Sequence, residues 1–241
     1  MEPVFVYPWR SYYRKDPQGL FDEPGTDGCY YNGFWVPGCD IALGFGQSQQ
    51  TLWAKAQGRI AVFQAIAIAD LTPGEISSDC QKDIDALGSA TSALIANGTA
   101  APGTKNIDDT SLAVALANTD YENGLTATAP ESTLNDPSIT VTAGQPIKNM
   151  FGGATKAVAQ LGGNIVYVDP RWLSGNGISP IYGAALVIHE ALHNMGLNDP
   201  QVESALGLTQ ADCPGGSTDC ITIKLEKDCT RPPSPIILGG P

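Results

Sequence analysis

The sequence predicts an α+β fold, mostly helical with a small mixed sheet, organised around one buried helix. Helical periodicity runs through 47–70 and 79–97 and returns in the apolar run that starts at Ala184. Short β-branched or aromatic runs, bounded by Gly, Pro or Asn, stand between them. With 27 Gly and 18 Pro in 241 residues, the chain has many turns to join such elements.

Residues 1–45 read as an aromatic-rich N-terminal segment, ahead of a larger unit over 46–241; one domain spanning 1–241 is the alternative. Cys29-Tyr30-Tyr31-Asn32-Gly33-Phe34-Trp35-Val36-Pro37-Gly38-Cys39 predicts a β-hairpin, because Asn-Gly suits a two-residue turn and aromatic strand formers flank it. A Cys29–Cys39 disulfide across the hairpin is the expected pairing. Leu52, Trp53, Ala56, Ile60, Phe63 and Ile66 fall near helical spacing in 47–70, and Pro73-Gly74 ends that helix. A second helix is expected over 79–97, with Ser78 to Gln81 as a capping box and Gly98 as the stop.

The Thr-, Ala-, Asn-, Asp- and Gly-rich stretch 98–144 predicts irregular loops, with a helical turn at 111–118 and a strand at 138–142. Residues 146–161 read as another helix, ended by Gly162-Gly163. Asn164-Ile165-Val166-Tyr167-Val168-Asp169-Pro170 reads as a short strand stopped by proline, either at a sheet edge or internal. After Asp199, Pro200 suits a first helical position and 201–206 continue the helix. Residues 221–228 make a last short helix or strand, followed by a Pro-rich tail from Arg231.

The stretch Ala184 to Asp199 carries the chemistry. Five apolar residues precede His189, so this helix is expected to be buried nearly all round, and Gly196 closes it. His189 and His193 stand one turn apart and project from the same face, with Glu190 beside them. The chain has two histidines, and both are in this His-Glu-x-x-His pattern. Two buried imidazoles and a carboxylate need a partner, and a metal ion supplies one. The pattern points to Zn2+ held by the histidines, with Glu190 handling the proton of a zinc-activated water.

Composition narrows the setting. A net charge of −12 argues against nucleic acid, whose phosphates would be repelled, and no run of about twenty apolar residues exists to span a membrane. Six cysteines without a Cys-x-x-Cys pair, low charge and abundant Gly and Pro favour three disulfides in a secreted protein; six reduced core thiols are the alternative. Cys213, Cys220 and Cys229 are expected to staple the C-terminal part to itself and, through Cys80, to the helix at 79–97. No leader pattern is visible at Met1-Glu2-Pro3-Val4.

His189-Glu190-x-x-His193-x-x-Gly196-x-x-Asp199 resembles the extended zinc signature of metzincin peptidases, with aspartate as third ligand as in the snapalysins. The resemblance covers about sixteen residues. It departs from the family in one respect, since metzincins carry a methionine turn downstream of the third ligand and no methionine follows Asp199 here. What the resemblance implies is a zincin-like fold over 46–241 and a zinc-dependent endopeptidase acting on peptide or protein substrates. It also implies metal ligands His189, His193 and Asp199, Glu190 as general base, and an edge strand upstream of the motif helix that pairs with extended substrate.

Several alternatives stand beside this reading. Glu203, one turn beyond Asp199, could be the third ligand, leaving Asp199 to cap the following helix by accepting from the Val202 N–H. Tyr182, seven residues before His189, could be a second electrophile, and Tyr167 competes for that role. At the level of function, the rivals are an effector or toxin peptidase released from a larger polypeptide and a zinc-binding structural domain without turnover.

Overall fold

The structure is a computed structural model, and it describes residues 28–31, 34–37, 52–129, 143–151, 155–173, 178–209, 211–213 and 219–230. Strands β1 (Gly28–Tyr31) and β2 (Phe34–Pro37) come first, then helices α1 (Leu52–Asp70), α2 (Ser78–Ala96) and α3 (Asp109–Asn118). Strand β3 (Asp120–Asn123), a 3-10 turn at Ile147–Met150, and strands β4 (Ala157–Ala159) and β5 (Ile165–Val168) follow. Helices α4 (Pro170–Leu173), α5 (Pro180–Asn194), α6 (Asp199–Ala205) and α7 (Asp219–Cys229) complete the order. The architecture is α+β and mostly helical, with a small mixed sheet, as the periodicity predicts.

α5 is the centre. Every residue from Gly183 to Asn194 is buried, because α1, α3, α7 and β4 all pack on it. Its start is well specified: Ser179 accepts a hydrogen bond from the Tyr182 N–H, and Pro180 occupies the first turn, where its missing N–H costs nothing. Where α1 approaches, Gly183 faces Phe63; a Cβ there would stand 2.4 Å from the ring, so the close packing of the two helices needs glycine.

Four expectations are corrected. Residues 146–161 are not a helix: the 3-10 turn accounts for Ile147–Met150, and Ala157–Ala159 is a strand buried along its whole length. An apolar triplet buried on both faces has no helical or strand period to reveal it. Gly162-Gly163 belongs to the connection between β4 and β5, with Gly162 at φ +70 and its backbone against Pro102 and Gly103. The second correction is β3, which appears within the stretch expected to be irregular. The cap of α2 is Ser77, not Ser78: its hydroxyl accepts from the Cys80 N–H and donates to the Asp228 carbonyl. Finally, β5 is internal. The sheet order is β3-β5-β4, with β3 parallel and β4 antiparallel to β5, so the strand before the motif helix has both edges occupied.

Other expectations hold. β1 and β2 pair antiparallel with Tyr31 opposite Phe34, the register of a two-residue connection through Asn32-Gly33. The turn at 111–118 is the full helix α3, closed at its start by a capping box between Asp108 and Ser111. Residues 221–228 are helical, within α7. The strand expected at 138–142 and the Cys29–Cys39 pairing lie outside the described residues.

Two disulfides bind the C-terminal part. Cys80–Cys229 ties α7 to α2 across 149 residues, and Cys213–Cys220 closes the loop before α7. Reduced thiols are thereby excluded for these four, and persistent disulfides fit an oxidising compartment. Lys224 of α7 adds an ion pair to Asp83 of α2 at 2.9 Å. No helix among the described residues is long and apolar enough to cross a membrane.

Candidate metal centre

His189 and His193 sit in the last two turns of α5, where the spacing puts both rings on the side facing α7 and the start of α6. The helix then ends in a Schellman turn. The Gly196 N–H donates to the His193 carbonyl at 2.8 Å and the Leu197 N–H to the Leu192 carbonyl at 3.2 Å, with Gly196 at φ +101. That left-handed residue reverses the chain, and Asp199 arrives back over the two imidazoles.

Three atoms converge there. Asp199 Oδ1 lies 3.0 Å from His189 Nε2 and 3.1 Å from His193 Nε2, and the two nitrogens are 3.1 Å apart. Both outer nitrogens are already used. His193 Nδ1–H donates to the Leu197 carbonyl at 2.6 Å, and Thr222 Oγ1 stands 3.0 Å from His189 Nδ1 as the partner for its proton. With protons on Nδ1, both Nε2 lone pairs point into the same small volume as a carboxylate oxygen. Three electron-rich atoms this close repel unless a proton on Nε2, hydrogen-bonded to Asp199, or a metal ion sits among them. A metal such as zinc, at about 2.0–2.2 Å from nitrogen or carboxylate oxygen, reaches all three. The donor set therefore fits a metal ion, and His189, His193 and Asp199 are the residues that would hold it.

The competing third ligand does not join them. Glu203 lies with Cys213 and Cys220, whose sulfurs are bonded to each other. Nor does Asp199 cap α6. Asn198 does, accepting from the Gln201 N–H while the Gln201 side chain accepts from the Asn198 N–H. The capping task falls one residue earlier, and the Asp199 carboxylate is left for the histidines.

Electrostatics follow from burial and proximity. Burial alone would raise the Asp199 carboxyl, but hydrogen bonds with His189 and His193 outweigh it and hold the group well below the usual carboxylate range. Burial pushes His193 down, and Asp199 more than reverses this, leaving its pKa raised. Glu190 is 4 % exposed, and burial raises its carboxyl against the opposing pull of His193 and His189. Its Oε2 has no hydrogen-bond partner among the described residues.

The two candidate tyrosines lie elsewhere. The Tyr182 hydroxyl accepts from Lys156 Nζ at 2.8 Å and donates to Asp219 Oδ1 at 3.2 Å, beside a cavity of about 670 Å³ also lined by Trp172 and Ile223. Tyr167 is buried on the sheet face away from α5, with Ala129, Ile147 and Val158. Sequence reasoning missed Thr222. No local pattern marks it, because it reaches the site from an element distant in sequence. Comparison of the chain with family models, curated proteins and solved structures finds no match. The chemistry of the centre has to be read from its own residues.

Proposed function

We propose that the protein is a zinc-dependent endopeptidase in which Glu190 is the general base, and that the domain is zincin-like and secreted. The observation that carries the reading is the convergence of His189, His193 and Asp199 beside a buried carboxylate that is not itself a ligand. Three protein ligands, with no fourth among the described residues, suit an ion that keeps one position for chemistry. Bound zinc would supply Lewis acidity and a water of lowered pKa.

The chain's own groups do the rest. Thr222 and the Leu197 carbonyl orient the imidazoles and fix the proton on Nδ1. Glu190, with its carboxyl raised by burial, is poised to take a proton from the attacking water and return it to the leaving amine. A second reading, a metal-holding domain without turnover, is favoured by how closed the site is: His189 is 4 % and His193 0 % exposed.

Elemental analysis of the purified protein should find about one zinc per chain. Cleavage of mixed protein substrates should vanish with chelator and return with zinc. Glu190→Gln should keep the metal and lose on the order of 10²- to 10⁴-fold in turnover. A metal-loaded protein that cleaves nothing would decide for the second reading, and activity in excess chelator would end the zinc reading.

A further inference from the structure

We propose that the cavity bordered by α4, the start of α5 and α7 is a binding pocket for a basic side chain, lysine or arginine, of the peptide substrate. The substrate role rests on the peptidase reading, whereas the preference for a cation rests on the cavity itself.

At about 670 Å³ the cavity has room for a long side chain and the backbone beside it. Trp172 of α4, Tyr182 of α5 and Ile223 of α7 give it apolar walls, and Ile223 is 56 % exposed. An exposed isoleucine at the edge of a cavity offers surface that a methylene stem can cover. Charge decides what that stem should carry. The two cations that line the cavity are matched within the protein. Lys156 Nζ lies 2.6 Å from Asp219 Oδ1 and 5.1 Å from the ring centres of both Trp172 and Tyr182. Arg171 holds Asp169 through Nε at 2.9 Å and Nη2 at 2.7 Å. Glu226 also lines the cavity, one helical turn beyond Ile223, and among the described residues nothing pairs with its carboxylate.

A net negative charge is thus left beside an apolar wall, and an aliphatic stem that ends in a cation complements both. An acidic side chain would meet repulsion there. The cavity is also placed to serve the metal centre. Tyr182 stands two turns before His189 on α5, a rise of about 10 Å. On α7, Ile223 directly follows Thr222, which contacts His189. Extended peptide covers that distance in about three residues, so a basic side chain in the cavity would sit about three positions from a scissile bond at the metal.

Binding is measured first, without turnover, by titrating the zinc-loaded full chain with the amides of acetyl-lysine, acetyl-norleucine and acetyl-glutamate. Norleucine keeps the stem and removes the charge. Lysine should bind roughly tenfold more tightly than norleucine, the effect of one hydrogen bond between charged groups, and glutamate should bind weakest. Glu226→Gln should shrink the lysine advantage towards one, and Glu226→Lys should place glutamate ahead of lysine. Cleavage is measured next, on peptides that differ only in the residue about three positions from the scissile bond. The ratio of kcat/KM for lysine over norleucine should follow the binding ratio and collapse in Glu226→Gln. Equal binding of lysine and norleucine, or an advantage that survives in Glu226→Gln, would overturn the pocket. Selective binding with cleavage indifferent to the residue would overturn its substrate role. Selective binding by a protein that cleaves nothing would reject the peptidase reading and leave the cation pocket standing.

Discussion

The carbonyl oxygen of Leu197 lies 2.6 Å from Nδ1 of His193, four residues back along the chain. The contact exists because Gly196 takes a left-handed conformation, and it settles which ring nitrogen carries the proton. A local backbone turn thereby orients a ligand and, two residues later, delivers Asp199 to it.

Gly196→Ala tests that turn. At φ +101 an alanine is strained, and its Cβ would stand 2.2 Å from Thr104 Oγ1. The variant should lose about 1–3 kcal/mol of stability in urea unfolding, together with metal affinity. Full affinity in a destabilised protein would mean that the turn shapes the fold but not the centre.

Thr222→Val tests the partner of His189. Valine keeps the shape and leaves Nδ1 without its 3.0 Å partner in a buried site. Zinc affinity should drop roughly ten- to a hundredfold in competition with a chromophoric chelator. An unchanged affinity would show that Thr222 is packing alone.

The adjacent pair Asn198 and Asp199 separates capping from ligation. Asn198→Ala should cost about 1 kcal/mol of stability and leave zinc bound, because it removes the cap of α6. Asp199→Asn should do the opposite, keeping the helix and shedding the metal. Zinc retained at full occupancy in Asp199→Asn would remove Asp199 from the ligand set.

Stability should depend on pH in opposite senses with and without metal. The His193 pKa is raised in the fold above its ordinary 6.5, so its proton stabilises the metal-free protein fully below 6.5 and is lost as pH rises through the raised value. Asp199 is held below its ordinary 3.8, so its contribution is complete above that value and lost as pH falls through the lower one. Metal-free protein should therefore weaken as pH rises above 6.5. The gain on adding zinc should grow over the same range, because metal displaces the proton. Thermal midpoints with chelator and with zinc check this; a chelated midpoint that climbs from pH 6 to 8 would contradict it.

The disulfides should contribute unequally. In the chain-entropy account, removing Cys80–Cys229 by paired alanines costs about 5 kcal/mol and removing Cys213–Cys220 about half that, since the first closes a far longer loop. The first also anchors α7, which carries Thr222, so its loss should weaken zinc binding as well. Equal unfolding midpoints for the two double variants would refute this ordering.

The sequence by itself determined whatever short-range geometry controls. Residues four apart on a helix share a face whatever surrounds them, so His189 and His193 were legible as a pair, as was the turn at Gly196. The apolar run before His189 announced a buried helix in the same local way. The tertiary structure alone decided what depends on elements distant in sequence. Pairing across the sheet made β5 internal and turned Ala157–Ala159 into a strand. Packing of α7 against α5 brought Thr222 to the site from 33 residues away, and gave Tyr182 to Lys156 and Asp219 instead. The choice between two neighbours, Asn198 as cap and Asp199 toward the metal, was also made there. Either residue can accept a backbone N–H, and only the position of the histidines in space distinguishes them.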